Sequence, residues 1–62
     1  MKTTYRYSKT AEGSYYAGFG FPWVLIREDA DASGSVSAEE IHGYKTEGAA
    51  KRGVARYTRI LA

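Results

Sequence analysis

No cysteine occurs in the chain, which excludes a disulfide framework, a thiolate zinc site and an iron–sulfur cluster. Long apolar runs are missing as well. The longest, Phe21-Pro22-Trp23-Val24-Leu25-Ile26, falls far short of the roughly 20 residues a membrane helix requires. Met1-Lys2 leads into Thr-Thr-Tyr-Arg-Tyr rather than an apolar stretch, so the expectation is a soluble, cytoplasmic chain with no signal peptide and no membrane partner. The 62 residues leave room for a single domain over residues 1–62. A domain of that size buries only about 60% of its unfolded surface, too little for a deep, dry catalytic cleft.

What is present favours a folded chain. Hydrophobic residues make up 44% and aromatics 15%, more than a disordered tail carries. The charge is uneven. Residues 1–31 balance Lys2, Arg6, Lys9 and Arg27 against Glu12, Glu28, Asp29 and Asp31, so the net +2 lies in the second half. There Lys45, Lys51, Arg52, Arg56 and Arg59 form a mild basic patch.

The hydropathy pattern predicts three strands and a helix. Thr3 to Lys9 alternates, with Tyr5 and Tyr7 on one face and Arg6 and Ser8 on the other. Gly13 suits a turn with positive φ. Ser14 to Glu28 reads as a second strand region, bulky at the odd positions Tyr15 to Leu25, with Gly18, Gly20 and Pro22 arguing for a bulge or break in its middle. Past Trp23 both faces are apolar, which suits cover on both sides. Asp29 to Ser35 is a loop. Val36 to Tyr44 reads either as a third strand or as a helix leaving a metal loop. Thr46 to Ala62 is an amphipathic helix capped by Thr46. Ala50, Val54, Tyr57 and Leu61 fall within about 60° of one another, and Arg52, Arg56 and Arg59 lie opposite. Gly53 costs such a helix about 1 kcal/mol against Ala, which a close approach to a sheet would explain. The fold class is therefore α+β: a three-stranded antiparallel sheet packed by one C-terminal amphipathic helix.

Gly43-Tyr44-Lys45-Thr46 followed by Ala50-Lys51-Arg52-Gly53-Val54 resembles the YegP-like small domains of unknown function. Tyr5-Arg6-Tyr7-Ser8-Lys9, Gly13 before Tyr15, Trp23-Val24-Leu25 and Gly34 before a β-branched residue extend the resemblance over nearly the whole chain. The second strand region is longer here, around Ala17 to Pro22, and the loop Asp29 to Ser35 is expanded. The resemblance implies a β-β-β-α domain that self-associates and carries no established catalytic residues.

Three functional readings follow. The densest aromatic stretch, Tyr15, Tyr16, Phe19, Phe21 and Trp23, exceeds what one helix can cover and offers a partner-binding surface. This points to a non-enzymatic protein-interaction module of the adaptor or inhibitor type, which phages also encode. It would be homodimeric through the open sheet face or an edge strand. The alternative is nucleic-acid binding through Lys45, Lys51, Arg52, Arg56 and Arg59. The third reading is calcium. Asp29, Asp31, Ser33 and Ser35, with Gly34 and Glu40, match the oxygen-ligand spacing of an EF-hand loop, although Gly-Phe-Gly-Phe-Pro before it leaves little room for an entering helix. No cofactor is otherwise implied. His42, the single histidine, has no nucleophile or orienting group linked to it. Glu39 and Glu40 are adjacent and would point to opposite faces of a strand, and Gly18-Phe19-Gly20 lacks the Lys-Ser/Thr of a phosphate loop.

Overall fold

The computed structural model describes residues 2–61, with side chains through residue 60. Its elements are strand β1 (Lys2–Lys9), strand β2 (Trp23–Ala30), strand β3 (Val36–Tyr44) and helix α1 (Glu47–Leu61), with a short 3-10 turn at Ala17–Phe19. The strands form one antiparallel sheet in the order β1-β2-β3. The fold is thus α+β, a three-stranded antiparallel sheet with one C-terminal helix. The segment Val36 to Tyr44 is strand.

Register follows the alternation in β1. Tyr5 stands opposite Arg27, Tyr7 opposite Leu25 and Lys9 opposite Trp23, so these side chains share the face on which α1 lies. Tyr5 meets Tyr57 of the helix at 5.3 Å between ring centroids, and Tyr7 meets Trp23 edge-on at 5.9 Å. The Thr46 hydroxyl accepts the Ala49 amide at 3.1 Å, capping α1 as its sequence requires. Ala50 and Gly53 are buried against the sheet, while Ile60 is 71% exposed. The expected stripe residue Leu61 has its side chain outside the described residues.

Three sequence expectations need correction. Ser14 to Phe21 is not strand. Successive i→i+3 backbone bonds, Ala17 to Ser14, Phe19 to Tyr16 and Gly20 to Ala17, fold it into turns, and Gly20 takes the left-handed conformation that ends them. The ladder resumes only after Pro22, which has no amide to donate. The face of the sheet opposite the helix is also not wholly open. The Thr10 amide on the Pro22 carbonyl (3.0 Å) and the Thr10 hydroxyl on the Phe21 carbonyl (2.6 Å) close the base of the 10–22 segment, and the Ser14 hydroxyl on Glu40 (2.6 Å) fastens it across that face. Neighbouring residues of β2 are therefore both fully buried, Leu25 under the helix and Val24 on the other face.

The expected loop is shorter than Asp29 to Ser35, because Asp29 and Ala30 still pair in β2. The hairpin loop is Asp31 to Ser35. The Asp31 carboxylate accepts the amides of Ser33 (2.9 Å) and Ser35 (3.0 Å) and the Ser33 hydroxyl (2.6 Å), and Gly34 supplies the positive φ of 89°.

A register slip separates Leu25, opposite His42, from Ile26, opposite Glu40, leaving Ile41 as the extra residue of a β-bulge on β3. Without the slip Glu40 would share the helix-side face with His42 and Tyr44. With it, Glu40 turns to the opposite face and receives Ser14.

Candidate functional site

Three groups of residues carry the sequence readings, and the structure treats them differently. Of the five aromatics, Tyr15, Tyr16 and Phe19 come together. Tyr15 lies edge-on to Tyr16 at 5.3 Å and to Phe19 at 5.0 Å, and Tyr15 and Phe19 remain 72% and 62% exposed. The cluster forms a prominence on the 10–22 segment. Burial, with Tyr15, Glu40 and Glu39 nearby, raises the Tyr16 phenol above its ordinary 10.0, so it stays neutral at physiological pH. Phe21 and Trp23 turn into the fold instead. Phe21 covers Gly43, where a Cβ would lie 2.6–2.9 Å from its side chain, and Trp23 packs on Tyr7. Only Gly18, Gly20 and Pro22, which interrupt the alternating pattern, signalled the turn in the sequence.

The basic residues divide in the same way. Arg52 and Arg56 line a trough of about 650 Å³ between α1 and β3, whose other walls include His42, Tyr44 and Tyr57. Lys45, Lys51 and Arg59 do not line it. Tyr44 runs beneath the helix to Gly53, where its phenol occupies the space a Cβ would need. Burial first, then the Tyr57 phenol, pushes Tyr44 above 10.0, against the pull of Arg56, so Tyr44 also remains a neutral hydrogen-bond donor. His42 packs edge-on to Tyr44 at 4.4 Å. Among the described residues, neither Arg52 nor Arg56 forms an ion pair; the pairs present are Arg6 with Glu28 and Arg27 with Asp29. His42 and Tyr44 were absent from the sequence-derived set because their nearness to the arginines depends on how the helix crosses the sheet.

The calcium spacing is spread over two strands and a hairpin. Asp29 sits in β2, accepting the Thr3 hydroxyl and pairing with Arg27 at 3.2 Å. Its carboxyl is lowered from 3.8 mainly by Thr3. Asp31 is lowered chiefly by the Ser33 hydroxyl and then by the Ser35 amide. Ser33 and Ser35 turn their donors onto Asp31, and Glu40 lies on the other face of the sheet from Asp29. The five side chains are not gathered about one point. Among the described residues, no three His, Cys, Asp or Glu converge in a way that could hold a metal ion.

No described helix is long and apolar enough to cross a membrane. No family model, curated protein or solved structure matches the chain.

Proposed function

We propose that the protein is a non-enzymatic interaction module whose Tyr15-Tyr16-Phe19 prominence docks a protein partner, a second copy of the chain being the first partner. One observation carries this reading. Two large aromatic side chains stand exposed and in mutual contact on a segment fixed by backbone and side-chain hydrogen bonds. A preformed aromatic patch loses little conformational freedom on binding, and burying each ring contributes on the order of 2 kcal/mol. Aromatic residues of this kind anchor interfaces. A patch that is its own partner gives a two-fold dimer. The YegP-like resemblance, which implies a self-associating β-β-β-α domain, supports the same reading.

Sedimentation velocity tests it. The wild type, a chain of 6.9 kDa, is expected to dimerise in the micromolar range, and Tyr15→Ser with Phe19→Ser to sediment as a monomer with unchanged circular dichroism. A double variant that dimerises as tightly as the wild type would sink the assignment of the patch. A wild type that stays monomeric throughout would sink self-association.

A further inference from the structure

The trough between α1 and β3 has a composition that the aromatic prominence does not explain. Its helical wall presents Arg52 and Arg56 one turn apart. Like charges at i and i+4 destabilise a helix, and α1 offers them no relief: its one acidic residue, Glu47, is spaced to meet Lys51. The sheet wall carries His42 and Tyr44, with Tyr57 between the layers. The β3 bulge exchanges Glu40 for Glu39 on this face, and the acids on it, Glu39 opposite Arg27 and Asp29 paired with Arg27, both lie outside the trough. The result is a concave site with two arginines, aromatic and imidazole rings, and no lining carboxylate.

We propose that this trough binds single-stranded nucleic acid, with Arg52 and Arg56 taking backbone phosphate and the His42–Tyr44 ring pair receiving a base. Charge complementarity selects a polyanion. The rings select one whose bases are free to leave the stack, since bases in a duplex are already stacked on their neighbours. An acidic peptide would satisfy the arginines but leave the rings without a flat partner.

The experiment is fluorescence anisotropy with a 5′-labelled 12-nucleotide oligo-dT and the full chain at low salt. Binding should weaken as salt rises. Arg52→Gln with Arg56→Gln should weaken it roughly tenfold or more and reduce the salt slope by about 0.7 for each arginine. Both side chains are exposed, so the fold should survive, as circular dichroism will report. Lys51→Gln, on the same helix but outside the trough, should change affinity by less than about twofold. His42→Ala should weaken binding without altering the salt slope, which separates stacking from charge. Several results would overturn the proposal: no binding at low salt, equal losses in Lys51→Gln and the double variant, equal affinity for a duplex of the same length, or displacement by poly-glutamate as effective as by unlabelled oligo-dT.

Discussion

At the scale of single residues, two glycines determine how closely the layers approach. A Cβ on Gly53 would meet the Tyr44 phenol well inside van der Waals contact, and one on Gly43 would meet Phe21 on the other face. Helix propensity alone favours Gly53→Ala by about 1 kcal/mol. Overpacking a tight contact costs typically about 1–3 kcal/mol, so the clash outweighs the propensity gain. Gly53→Ala is therefore expected to lower Tm, while Gly48→Ala, whose Cβ would find nothing nearer than 3.5 Å, should leave it unchanged or raise it. Thermal melts followed by circular dichroism decide the matter. A rise of Tm in both variants would mean that Tyr44 swings out of the way and that the contact does not hold the helix down.

At the scale of elements, the hairpin between β2 and β3 owes its shape to one carboxylate. Asp31 is held below 3.8 by the Ser33 hydroxyl and the Ser35 amide, and Asp29 by Thr3 and then Arg27. A depressed carboxyl favours the fold while it is ionised. That contribution is complete above the unfolded value and is lost as pH falls below about 4, through the lower folded value. The wild type should hold its Tm from neutral pH down to about pH 5 and then lose stability, whereas Asp31→Ala should begin lower and fall less steeply. Parallel acid titrations of the two would show that the Asp31 bonds contribute nothing. These elements were unequally legible in the sequence. The Tyr5–Tyr7 alternation gives β1, the Thr46 cap with the apolar stripe gives α1, and Gly53 already implies a close helix–sheet approach. Residues 14–21 were misleading because odd-numbered aromatics mimic a strand, while their i→i+3 turns depend on Gly20 and on a hydroxyl bond to the distant Glu40. The trough was half legible. The arginine stripe follows from helical period, but His42 and Tyr44 join it only through the way the helix crosses the sheet.

At the scale of the whole molecule, the Cα atoms fill a slab of 36 × 25 × 12 Å, and Val24, Leu25 and Ala50 are the fully buried apolar residues among those described. So thin a body has little interior and two broad faces, and the sheet separates them. Phe21 and the prominence cover the Gly43 side, while Tyr44 and the trough lie on the helix side. Sites on opposite faces that share no side chain act additively unless a rearrangement links them. The two proposed surfaces should then be independent. Tyr15→Ser with Phe19→Ser should leave oligo-dT affinity of the monomer within about twofold, and Arg52→Gln with Arg56→Gln should leave the dimerisation constant equally unaffected. A dimer joined through the prominences points its two troughs away from each other. At saturation with a 12-nucleotide strand it should carry two strands without dissociating, because each bound polyanion lies on the far side of its own sheet. Sedimentation velocity of the saturated complex, followed at the label, distinguishes the cases. A species of two chains and two strands fits separate faces. Dissociation to one chain and one strand would show that the strand and the second copy compete for one surface, and the assignment of these two faces to two partners would have to be abandoned.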